Sequence, residues 1–141
     1  MSILVCYDGS PVADEVLTTG IKMGKAFLTD MYIFTSISPR KDSKEKFEFI
    51  TDEQQKEIDN AKKEAEKACQ IARDEGLECK AHVTMEGKDA GEDIINYAQQ
   101  INAEYIVIGV RTRSRVGKLI FGSTAQWVIL NSHCPVMTVR S

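Results

Sequence analysis

Five short apolar runs rich in β-branched residues alternate with segments whose apolar positions recur at helical spacing. The first run, residues 3–7, stops at Asp8-Gly9-Ser10-Pro11, where Ser10 suits an N-cap and Pro11 a first helical position. The helix expected there buries a stripe of Val12, Val16, Met23 and Phe27, with Ala13, Leu17 and Gly20 beside it. Residues 31–37 read as a second strand. Residues 38–50, with Pro39, several lysines and few apolar positions, read as an exposed excursion, either a lid or contact surface or a linker. A capping box at Thr51-Asp52-Glu53-Gln54 opens a long helix with Ile58, Ala61, Ala65, Ala68, Cys69 and Ala72 on one face, and Gly76 ends it.

Residues 77–84 alternate weakly, as an outer strand does. Asp89-Ala90-Gly91-Glu92 is a second capping-box pattern, and Ile94, Ile95, Ala98 and Ile101 form the next buried stripe. Residues 105–108 are apolar on both faces, as a strand in the middle of a parallel sheet requires. Beyond them Ala125, Val128 and Ile129 share a helical face, with Ser123 placed to cap that helix. Residues 135–140 form a last strand whose leading Pro135 suits a strand start or a sheet edge.

Strand and helix therefore alternate, and right-handed crossovers with helices on both faces give an α/β doubly wound three-layer sandwich. The expected sheet has five parallel strands in the order 3-2-1-4-5. In that order Asp8-Gly9-Ser10 and the loop after Gly109 meet at the point where the winding reverses, which is where such sheets bind ligands. The loop carries Arg111, Arg113, Arg115 and Lys118 and closes at Gly122-Ser123 before a helix start, which supplies the parts of an anion site. Two plainer readings stand beside this one. Basic loop residues can simply be solvated, and Asp8 beside Gly9 can be a turn aspartate.

A chain of 141 residues with 43% hydrophobic content fits one domain, here residues 1–141. A net charge of −3 makes the basic loop a local feature, favouring a small anionic ligand over nucleic acid. The sequence contains no apolar run of membrane-spanning length and begins directly with a strand, so the expected location is cytoplasmic, away from membranes. Cys6, Cys69, Cys79 and Cys134 are scattered without a CxxC pair and read as small buried hydrophobes, suggesting neither a zinc site nor a redox pair. His82 and His133 lack partners at ligand spacing and are assigned surface or strand-edge roles, so no metal site is expected.

The opening ILVCYDGS, the terminal CPVMTVR, and Gly109-x-x-Thr112 followed after nine residues by Gly122-Ser123 resemble the universal stress protein family along nearly the whole chain. In its nucleotide-binding members the pattern is glycine, two residues, glycine, nine residues, glycine, then serine or threonine. This chain has Thr112 at the second glycine, replacing a bare backbone approach with a side chain and a hydroxyl. The resemblance implies a Rossmann-like fold of the adenine nucleotide alpha hydrolase type, and ATP or AMP as ligand, with Mg2+ only alongside a nucleotide. It places Asp8 by the adenosine, Ser36 and Ile37 beside the base, and Gly109, Gly122 and Ser123 at the phosphates; there Arg111 and Arg113 suit phosphate contacts by their charge, Thr112 brings a hydroxyl, and Thr124 follows Ser123 at the helix start. It also implies a homodimer through Val136–Val139.

The sequence offers no nucleophile–base pair and no paired carboxylates at a strand end, so no enzyme activity beyond slow ATP hydrolysis is expected. The P-loop, GxGxxG and phosphoacceptor patterns do not fit. A binding role in a stress response or regulation follows from the resemblance. The alternative is a dimeric interaction or scaffold module of the same fold without nucleotide.

Overall fold

The computed structural model describes residues 2–37, 51–85, 89–110 and 122–140. In chain order the elements are β1 (Ser2–Cys6), α1 (Ala13–Phe27), β2 (Asp30–Ser36), α2 (Asp52–Asp74), β3 (Cys79–Thr84), α3 (Ala90–Gln100), β4 (Tyr105–Gly109), α4 (Ser123–Asn131) and β5 (Val136–Val139). All strand pairings are parallel, and the sheet order is β3-β2-β1-β4-β5, as expected from the sequence. Strands β1 and β4 are neighbours in register Ile3 with Tyr105 through Val5 with Val107, so their carboxyl ends leave the sheet side by side.

Because side chains alternate across a strand, β1 feeds two cores. Ile3 and Val5 join Val16, Leu17 and Ile21 of α1 and Ala65, Ala68, Cys69 and Ala72 of α2. Leu4 and Cys6 join Ile94, Ile95 and Ala98 of α3 and Ala125 and Val128 of α4. The small residues on α1 and α2 allow close approach. A methyl group added at Gly20 would come within 2.5 Å of Val5 Cγ2.

Local signals hold at some helix ends and give way at others. Thr51 and Gln54 form the reciprocal capping box, and Gly76 takes a φ of +91° just beyond α2. Asp89 caps α3 by accepting from Gly91 N at 3.4 Å. By contrast, α1 begins three residues after Ser10: its N-cap is Val12, with no side-chain cap bond, because residues 10–12 form a turn in which the Ser10 carbonyl accepts from Ala13 N. Gly122, not Ser123, is the N-cap of α4, again without a side-chain cap bond.

Two of the four cysteines are not the free small hydrophobes expected of them. Cys69 and Cys79 are joined by a disulfide, with Cα atoms 5.3 Å apart. Both are buried, as expected of small hydrophobes, but α2 returns over the start of β3 and brings them within bridging distance. Cys6 and Cys134 are free. His82 lies exposed on edge strand β3, where its ring stacks on Tyr97 with centroids 4.7 Å apart. Among the described residues, no helix is long and apolar enough to cross a membrane.

Candidate functional site

At the carboxyl ends of β1 and β4 the chain leaves a cleft of about 1010 Å³. Small-ligand sites commonly have volumes of this order. Of the residues expected at a site, Asp8, Ser36, Gly109, Gly122, Ser123 and Thr124 line it together. Ile37 follows Ser36 and donates its N–H to the Thr84 carbonyl at 2.8 Å; among the described residues it is not part of the lining. Arg111, Thr112, Arg113, Arg115 and Lys118 lie outside the described residues, as does the segment 38–50.

One rim is the turn after β1. Asp8 Oδ1 accepts from Ser10 N at 3.0 Å, a local aspartate turn that leaves the residue exposed at the cleft edge. The two sequence readings of Asp8 are therefore compatible: it shapes the turn and lines the cleft. The Thr35 hydroxyl donates to the Tyr7 carbonyl, and Tyr7 N donates to Phe34 O at 2.9 Å, fixing this rim against β2. Burial pushes the Tyr7 phenol above its usual range, with Asp14, Glu64 and Asp8 adding to the shift.

The opposite rim is the start of α4. Gly122 has open space where a side chain would stand, and Ser123, Thr124 and Ala125 follow along the wall. A helix start with no side-chain cap presents backbone N–H groups and the positive end of the helix dipole. The start of α1 is also uncapped by a side chain, and Ser10, Pro11 and Val12 line the same cleft. Ser10 Oγ is buried with no hydrogen-bond partner among the described residues. Two helix starts and an orphaned hydroxyl thus meet at one cavity, a donor-rich arrangement that fits an anionic group.

Gly109 has a second role that its motif position does not reveal. A Cβ there would come within 2.5 Å of Val12 Cγ1 and 3.2 Å of Val16 Cγ2, so its absence lets α1 pack over the end of β4. Between the rims the wall is apolar: Phe34, Ile94, Ile108 and Ala125. Cys6 also lines the cleft, but burial and, secondarily, Asp8 hold its thiol far above the usual range, which disfavours the reactive thiolate.

Sequence reasoning missed Asp93. It is 5% exposed in the first turn of α3, and its Oδ2 accepts from Ser36 Oγ at 2.9 Å. Its other oxygen is buried and unpartnered among the described residues. An acid in a helix's first turn is ordinary, and no local pattern marks this one as buried.

A wound parallel sheet with a cleft at its reversal point is the doubly wound α/β architecture, in which ligands commonly lie outside the carboxyl ends of the strands. The Universal stress protein family profile matches residues 1–140, and the chain belongs to that family. A universal stress protein of Methanocaldococcus jannaschii is 31% identical over 98% of this chain and 81% of its own length. The structure of a universal stress protein from Archaeoglobus fulgidus superposes with a TM-score of 0.79 at 34% identity, covering 98% of this chain and 97% of that one. A universal stress protein structure from the same organism, in complex with dAMP, gives 0.73 at 29% identity, covering 98% and 96%.

Proposed function

We propose that this chain is a regulatory or stress-response domain that binds an adenine nucleotide, ATP or AMP, or a related phosphate-bearing anion, in the cleft between β1 and α4. The observation that carries the reading is the meeting of Asp8 and Ser10 with the α4 start at one cavity. The phosphates would take the N–H groups of Gly122, Ser123 and Thr124 and the Ser10 hydroxyl, with Asp8 at the sugar and the base against Phe34 and Ile94. Arg111, Thr112 and Arg113 lie in sequence between β4 and α4 and would add charge or a hydroxyl to the phosphates. Mg2+ would enter only with the nucleotide's own phosphates. The dAMP complex of the A. fulgidus relative supports an adenine-type ligand. The role proposed is cytoplasmic, performed by residues 1–141 as one domain, and is binding rather than turnover.

Isothermal titration with AMP, ATP and dAMP tests the reading directly. Heat of binding together with a thermal shift is expected; neither signal at millimolar ligand would remove the proposal.

A second reading, self-association, is favoured by a different observation. Strand β5 ends the sheet with Met137 exposed, and Trp127, Ile129 and Leu130 of α4 are also exposed. A sheet edge with unpaired backbone groups and apolar side chains invites a second copy, so a homodimer through Val136–Val139 is proposed. Light scattering at tens of micromolar should report about twice the chain mass; a monomer there argues against it.

A further inference from the structure

Resting on the nucleotide reading, we infer that Ser36 and Asp93 act as a pair that selects a base carrying an N–H donor, the chemistry of adenine's exocyclic amine. Ser36 ends β2 and lines the cleft, and its hydroxyl donates to Asp93 Oδ2 at 2.9 Å. A serine hydroxyl has one proton and two acceptor positions. With the proton held by a carboxylate that cannot donate in return, the side that Ser36 turns to the cleft is an acceptor. A base edge offering an N–H satisfies it; a base edge with no donor there leaves it unpaired, and a carbonyl sets two acceptors against each other.

The sheet places this acceptor where a base would lie. From β4, the strand that precedes α4 in the chain, β2 is two strands away across β1, about 10 Å at ordinary strand spacing. That distance is comparable to the reach of a nucleoside monophosphate from its phosphate to the base. Phe34, two positions before Ser36 and so on the same face of β2, and Ile94 of α3 also line the cleft and make its wall apolar, as a purine ring requires. Asp93 itself does not line this cleft among the described residues, so it is a positioning residue acting through Ser36. Its buried Oδ1, unpartnered among the described residues, sharpens the case. A tie between β2 and α3 needs only a neutral hydrogen-bonding side chain, whereas a charged acceptor with an orphaned oxygen is costly to bury. A carboxylate does what the neutral group cannot: it fixes the direction of the serine proton.

The test compares AMP with purine riboside 5′-monophosphate, which lacks the amine, by titration calorimetry on the whole chain. Wild type should bind AMP about tenfold more tightly, the size of one hydrogen bond whose loss leaves a partner unsatisfied. In Ser36→Ala that ratio should fall to about one, with affinity for the unsubstituted purine nucleotide held within about twofold. Asp93→Asn should lower the ratio too, because an amide can donate to Ser36 and release its proton. Thermal melts report the folding of each variant, and Ser36→Ala alone decides the matter if Asp93→Asn does not fold. Equal binding of both nucleotides by wild type, or a tenfold ratio that survives Ser36→Ala, would overturn the inference and leave the nucleotide reading standing. Binding of neither nucleotide would remove both.

Discussion

On one face of the sheet α1 and α2 cover Ile3, Val5, Ile33 and Val107; on the other α3 and α4 cover Leu4, Phe34, Ile106 and Ile108. The first face is sealed by longer helices of 15 and 23 residues, with small residues at the contact and a disulfide holding α2 to β3. The second has helices of 11 and 9 residues, a buried carboxylate with one oxygen unpartnered among the described residues, and the apolar wall of the cleft. The same strands supply both faces, so the difference lies in what covers them. Short side chains close the packing of the first face, while the second also forms the apolar wall of the cleft.

The largest expected effect breaks the first face without touching the second. Ile33 is fully buried against α1 and α2, and Ile33→Ala should cost about 2–5 kcal/mol of stability, read from urea unfolding. Nucleotide affinity of the folded fraction should stay unchanged. A loss of affinity that tracks the loss of stability would show that the two faces are not separable.

The disulfide sharpens the same division. A bridge spanning ten positions restricts the unfolded chain, so Cys79→Ala should lower stability by about 2–3 kcal/mol, and reducing the wild type should reproduce most of that loss. Disulfides are uncommon in reducing compartments, so alkylation and mass spectrometry of freshly lysed cells would also measure how much of the pair is bridged in place. Full bridging would weigh against the cytoplasmic role proposed above.

Strand order could be read from the chain because residues 105–108 are apolar on both faces while the outer strands are not, and because alternating strands and helices permit few right-handed windings. The helix starts were less legible. Ser10 and Ser123 have the composition of caps, but tertiary packing starts α1 at Ala13 and gives the α4 cap to Gly122. Both departures fall on residues that line the cleft. That Asp8, Gly122 and Ser123 line one cleft could be read from their spacing and their place at the reversal point. Asp93 could not, since only the packing of α3 beside β2 buries it, and the Cys69–Cys79 bridge likewise depends on how α2 returns over the sheet.

A smaller effect separates two glycines on the second face. At Gly91 a Cβ would meet Trp127 Cδ1 at 2.6 Å and Trp127 Cβ at 2.9 Å, so α3 and α4 would have to part. Alanine gains about 1 kcal/mol of helix propensity there, yet the displaced contact should leave Gly91→Ala about 1–2 kcal/mol less stable. Gly122 has φ −61° and open space around it, so Gly122→Ala should change stability by at most about 1 kcal/mol while placing a methyl group in the cleft. Calorimetry should therefore find the larger binding defect in the more stable variant. The reverse order would move the ligand away from the α4 start.

The smallest effect concerns Cys6, buried beneath the cleft on the second face. Burial, reinforced by Asp8, raises its thiol far above the ordinary value of 9.0, so the folded chain keeps this proton when the unfolded chain releases it. The sign follows from proton counting. Below the unfolded pKa both states are protonated and pH has no effect through this group; above it the native state holds more protons, and stability falls as pH rises. By about pH 9.7 the loss should reach about 1 kcal/mol relative to neutral pH, and Cys6→Ala should remove that part of the slope although it lowers stability at every pH. Under the same conditions Cys134, which is partly exposed, should react with iodoacetamide well before Cys6. Equal labelling of the two thiols would mean that water reaches the floor of the cleft, and the apolar wall could not then hold a purine as drawn here.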